Sequence, residues 1–259
     1  MEVRPSEFPS LRRVSHEERI AVAEKISAKL VAKYKDAVLA VCIYASTAKK
    51  LERPYSDLEL FCVFQEGSEP LPDRKLIHDG LVVDIAYTKE SRLLEGARKV
   101  DSEWPIRADG YRNRIVLFER GGWLKKLDEA VGQSDAADFT EPIRYAALNV
   151  TESLAAVRNA AYKQDPIDLR TRAFWMAWDA AKLVYLLNRR YMLTSSWFWK
   201  RAFECPEQPK DFQRLVGILA GFVNSTGEEL AEAAEKLWIE TTAMVIARGI
   251  SIVSAEIEV

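Results

Sequence analysis

The chain has 259 residues, room for one large domain or two of ordinary size, and its 48% hydrophobic content is ample for packed cores. Its 37 basic and 39 acidic residues leave a formal charge of −2, which excludes a global basic field of the kind that draws a protein to nucleic acid. The 3 cysteines are far apart and the 2 histidines offer no zinc spacing. Residues 1–10 (MEVRPSEFPS) carry no apolar signal segment, and no apolar run approaches the roughly 18 residues of a membrane span. The expectation is a cytoplasmic protein that engages neither membrane nor nucleic acid.

In chain order, Ser15 with Glu18 forms a capping box, and Ile20, Ala23, Ile26, Leu30 and Val31 continue at helical spacing to about Tyr34. Val38–Tyr44 is a β-branched run short enough for a buried strand, and Leu58–Phe64 is a second. Lys75–His78 and Leu81–Tyr87 flank Asp79-Gly80, a strong hairpin signal. Thr88 is placed to cap a helix carrying Leu93, Leu94 and Ala97, and Arg114–Glu119 reads as a further strand stopped by Gly121-Gly122. From about Asp138 the texture changes. Pro142 falls in the first turn of a helix running to about Lys163, and Asp165-Pro166 breaks it. Leu169–Arg190, Asp211–Phe222 and Gly227–Arg248 follow as long helical segments. This order predicts an α+β chain, with a mixed-sheet domain over residues 1–137 and an all-α bundle over residues 138–259.

The chemistry concentrates in residues 44–59, YASTAKKLERPYSDLE. A small residue and a serine, Ala45 and Ser46, close the first strand, and Asp57 and Glu59 open the second. An i, i+2 pair on a strand points both carboxylates to one face, and a divalent cation is the usual reason to tolerate the repulsion. Asp84 is the lone charge of an apolar strand, so a metal, a basic partner or a strand edge must account for it. The turn, the D-x-E pair and the later acid together are the layout with which nucleotidyltransferases hold a nucleoside triphosphate. Ser46, at a helix start, and Ser56, just before the carboxylates, are placed to hold phosphates, although each alone reads as a cap or turn residue. Glu152, within AALNVTESLAAVRNAA, is either solvated surface or a base. Tryptophans 175, 178, 197, 199 and 238 recur mostly at helical spacing and read as core. His16, His78, Cys42 and Cys62 carry no catalytic pattern.

Four stretches resemble the kanamycin nucleotidyltransferase (aminoglycoside 4′-nucleotidyltransferase) family, within the DNA polymerase β-like superfamily. They are Tyr44–Glu59, Val83–Tyr87 (VDIAY), Val100–Pro105 (VDSEWP) and Arg158-Asn159. The resemblance implies transfer of AMP from Mg²⁺-bound ATP to a hydroxyl acceptor, by a homodimer whose active sites are built by both subunits. It carries metal and catalytic roles to Asp57, Glu59 and Asp84, phosphate contacts to Ser46 and Ser56, a general base to Glu152 and an acidic, substrate-facing position to Glu103. Departures are visible. Ala45 stands where the family has glycine, Asp84 where it has glutamate, Leu148 where it has an acid, and Ala156 where it has a nucleotide-binding lysine. Arg158 and Lys163 are the candidate replacements for that lysine. The expected function is adenylyl transfer to an aminoglycoside-like or other small acceptor. The alternatives are a protein side chain as acceptor, or a catalytically silent nucleotide-binding module.

Overall fold

The computed structural model describes residues 10–253. Residues 1–9, which carry most of the segment read for a signal sequence, lie outside the described residues. The chain divides into two compact units: residues up to Lys99 together with Ala108–Ala136, and Val100–Arg107 together with Ala137 onward. The bundle boundary read after residue 137 therefore has a counterpart after Ala136. Residues 100–107, counted with the sheet domain from sequence, belong to the second unit instead.

In the first unit, helix α1 (His16–Tyr34) begins on the anticipated capping box, with Ser15 and Glu18 bonding reciprocally. Strand β1 (Val38–Ile43) leads into the one-turn helix α2 (Ala45–Ala48). Strands β2 (Leu58–Phe64), β3 (Arg74–His78) and β4 (Leu81–Lys89) follow. Asp79 and Gly80 turn the β3–β4 hairpin with φ of 46° and 72°, the left-handed pair that matches the twist of the flanking strands. Helix α3 (Glu90–Arg98) is entered from Lys89 without a side-chain cap. Thr88 remains in the strand, and its hydroxyl donates to the Lys89 carbonyl.

The sheet order is β3-β4-β2-β1-β5, where β5 is Ile115–Glu119. Only β2 and β4 pair in parallel, so the sheet is mixed as expected. Central strands β1 and β2 are covered on both faces, which is why they read as continuous apolar runs. Val41, Ile43, Leu60 and Phe64 pack with Ala23 and Leu30 of α1. Ala40, Cys42, Phe61 and Val63 pack with Leu94 of α3 and with Trp123 and Leu127. Burial holds the Cys42 and Cys62 thiols up at about 12, so they are inert core groups.

The second unit begins with the short helix α4 (Trp104–Arg107), while α5 (Asp109–Arg112) and α6 (Trp123–Asp135) return to the first. Trp104, 3% exposed, meets Phe139 and Tyr191 edge-on at 5.0 and 5.8 Å, and that aromatic socket seats residues 100–107. Long helices α7 (Thr140–Tyr162), α8 (Pro166–Leu187) and α11 (Gly227–Ala247) form the bundle, with α9 (Phe198–Phe203) and α10 (Phe212–Leu219) between the last two. Asp165 caps α8 through its carboxylate, with Pro166 in the first turn. Trp178 stacks on Phe198 at 3.9 Å and Trp199 closes on both, as a core reading requires. Trp175 differs: it is 52% exposed. Among the described residues no helix is long and apolar enough to cross a membrane.

Candidate active site

Sheet register builds the acidic cluster of the first unit. Glu59 of β2 lies directly beside Asp84 of β4 in the parallel pairing, whereas Asp57, anticipated to open the strand, stands in the loop just before it and acts on Glu59 through its charge. Burial, Asp57 and Asp84 all oppose ionisation of Glu59, whose carboxyl is pushed up to about 7. Burial, followed by the charges of Glu59, Asp84 and Asp57, raises the Tyr44 hydroxyl well above its ordinary range. Asp84 is answered by a basic partner, Lys75 of β3, whose ammonium lies 3.2 Å away. Its strand is not an edge, since β3 flanks it. Among the described residues no group of three or more His, Cys, Asp or Glu side chains is arranged to hold a metal ion by itself. One or two of these carboxylates could serve as ligands to a hard cation whose remaining ligands came from other groups.

Ser46 is buried in α2, and the turn that presents it is strained. Ala45, where a glycine would be at ease, has φ of 55°. A buried ion pair holds the turn in place. Lys49 Nζ donates to the Ala45 carbonyl at 2.5 Å and to Asp109 Oδ2, and Asn113 donates to the other Asp109 oxygen at 2.7 Å. Burial raises the Asp109 carboxyl against the pull of Lys49. Because α2 is a single turn, its dipole adds little to any phosphate contact. Ser56 has a turn role: its Oγ accepts from the Arg53 N–H at 2.9 Å, and its own N–H donates to the Arg53 carbonyl at 2.9 Å.

Arg19 fixes the loop that carries Ser56 and Asp57. It is 1% exposed and donates through Nη2 to the carbonyls of Arg53, Pro54 and Ser56 at 3.0, 3.2 and 2.9 Å. Its other terminal nitrogen reaches the Val14 and Ser15 carbonyls. Sequence reasoning missed Arg19, Lys49, Asp109 and Lys75. The signal for Arg19 was a charge standing on the buried stripe of α1, one turn before Ala23.

The second unit holds Glu103 and Glu152. Glu152 is exposed on α7 and lines a cavity with Asn149, Ser153, Trp175 and Asp179, so it does not lie on a buried face. Ala156 lines the same cavity. Arg158 is already engaged by Glu235 through two bonds of 2.6 and 2.7 Å. Glu103 accepts from Lys182, a lysine 8% exposed at its side chain that also lies 3.1 Å from Asp179. Asp179 and Lys182 are lone charges in an apolar helical run, the same signal that singled out Asp84.

Residues 121–251, just over half of the chain, match the model of the KNTase C-terminal domain. The aminoglycoside nucleotidyltransferases (4′) of Staphylococcus aureus and of a Bacillus species are each 25% identical over 232 residues, covering 87% of this chain and 89% of theirs. A crystal structure of a nucleotidyltransferase-like protein from Exiguobacterium sibiricum shares the fold with a TM-score of 0.53 at 14% identity, over 88% of this chain and 76% of that one. The match of the helical region over half of the chain, preceded by the mixed sheet, assigns the chain to the kanamycin nucleotidyltransferase-like family.

Proposed function

We propose that this nucleotidyltransferase moves AMP from ATP to a hydroxyl of an aminoglycoside-like small molecule, and that it works as a homodimer. The observation that carries the reading is the Asp57, Glu59 and Asp84 cluster, in which burial first and then repulsion from Asp57 and Asp84 push the Glu59 carboxyl up to about 7. Such an arrangement is costly for a fold and useful to a cation-dependent site. Magnesium, when bound by Asp57 and Glu59, would neutralise charge on the triphosphate. The Ala45-Ser46 turn, braced by Lys49 and Asp109, presents a hydroxyl and backbone N–H groups to phosphate oxygens. The acceptor oxygen attacks the α-phosphorus as its bond to pyrophosphate breaks, and Glu152 receives the hydroxyl proton. The (4′) relatives are named for aminoglycosides, and it is their acceptor that is carried to this chain.

The test is pyrophosphate release from Mg-ATP with kanamycin, neomycin and a panel of sugars, comparing the wild type with Glu59→Gln. Release that depends on an acceptor and is lost in the variant supports the reading. A silent nucleotide-binding module is the second reading, favoured by Ala156 and by the engagement of Arg158 with Glu235. ATP binding without release for any acceptor would establish it.

A further inference from the structure

We propose that Lys75 is an exchangeable counter-ion for the nucleotide: it pairs with Asp84 in the free protein and passes to the triphosphate when ATP binds. The inference rests on the ATP-dependent reading of the acidic cluster given above and adds a phosphate-binding residue to it.

Register places the lysine. Lys75 of β3 is the direct partner of Asp84 in the antiparallel pairing, and Asp84 is the direct partner of Glu59 in the parallel one. Direct partners on neighbouring strands share a face, so Lys75, Asp84 and Glu59 stand in one row across β3, β4 and β2. With strands about 4.8 Å apart the row is roughly 10 Å from end to end, a distance that a lysine side chain and a phosphate group span between them. All the acids of the cluster act on the ammonium: Asp84 first, then Asp57 and Glu59, hold it above its ordinary value.

Two lysines offset the repulsion felt by Glu59, Lys49 and Lys75, and they differ in freedom. Lys49 is 9% exposed at its side chain and is tied to Asp109 and to the Ala45 carbonyl, so it braces the turn and stays there. Lys75 is 64% exposed at its side chain, on a strand exposed along its whole length, and pairs with Asp84 at 3.2 Å. An exposed pair of this kind is weakly held, and the flexible four-carbon stem lets the ammonium change partners without moving the strand. When a divalent cation occupies the carboxylates, the ammonium is repelled from them. The phosphate chain then offers it charge-assisted acceptors, and Asp84 is released to the site.

The test is titration of the full chain with Mn²⁺ alone, with Mg-ATP and with adenosine, comparing the wild type with Lys75→Met. The variant should bind Mn²⁺ about threefold more tightly, because the carboxylates lose a competing cation, and Mg-ATP about tenfold more weakly, because the phosphates lose a partner. Adenosine, which has no phosphate, should bind within about twofold, and Lys75→Arg should recover most of the ATP affinity. A gain with one ligand and a loss with the other separate this role from that of a lysine that merely guards an edge strand. Unchanged Mg-ATP affinity in Lys75→Met, equal weakening of ATP and adenosine, or weaker Mn²⁺ binding would each overturn the proposal. Pyrophosphate release by the wild type reads the parent function separately: its absence with every acceptor would count against nucleotidyl transfer, while the ATP and Mn²⁺ comparison would still decide the place of Lys75.

Discussion

Glu59 is opposed in its charged form by burial and by Asp57 and Asp84, so its carboxyl titrates at about 7 where the unfolded chain titrates near 4.5. Between those values the folded state binds more protons than the unfolded state, so without metal the fold loses stability as pH rises through that window. Urea unfolding in chelator should show the wild type weakening from pH 4.5 to 7, and Glu59→Gln should flatten the slope. The same substitution should cut nucleotidyl transfer by at least about 10²-fold, with thermal stability unchanged or raised. Undiminished transfer would remove Glu59 from the site. Ala45 gives a second residue-level prediction. Its φ of 55° costs an L-residue energy that glycine avoids, so Ala45→Gly should stabilise the fold by roughly 0.5–1 kcal/mol in urea unfolding. A loss of stability would mean that the turn is not strained.

One loop depends on a buried cation, Arg19, that makes its contacts through backbone carbonyls. Arg19 ties the loop at residues 53–56 to α1, and its removal leaves buried carbonyls without donors. Arg19→Met should cost about 3 kcal/mol and speed amide exchange at residues 53–57, with β1 spared, whereas Arg19→Lys should recover part of both. Exchange that rises evenly over the first unit would contradict a local tether. At this scale the strands were legible: Leu58–Phe64 was read to the residue, because a run buried on both faces writes its length into the sequence. Helix Trp123–Asp135 was not anticipated, although Leu127 and Ala130 stand at helical spacing on its buried face. Nor was the entry to α3, where the strand continues through Thr88 and the cap position falls on Lys89. Parallel pairing with β2 runs to Lys89, and pairing of that kind is invisible to local propensity.

For the whole molecule, the proposed homodimer predicts complementation. Glu59→Gln and Glu152→Gln, each inactive alone, should regain about a quarter of wild-type transfer when mixed and refolded together, if each site takes its acids from two protomers. No recovery, with mixed dimers present, would place each site within one chain. Sequence alone determined what local pattern and chemistry can write: the Ser15 capping box, the core strands, the switch from sheet to bundle, the pair Asp57 and Glu59, conspicuous because neighbouring acids repel, and Asp84, conspicuous because a lone acid is costly in an apolar strand. Only the tertiary structure decided which partners those acids have. Register set Glu59 beside Asp84 and Lys75 against it, a tryptophan's need for an apolar socket drew residues 100–107 into the second unit, and Lys182 was brought to Glu103, 79 residues away in the chain. Such pairings are fixed by burial and long-range packing, whose energies depend on neighbours in space.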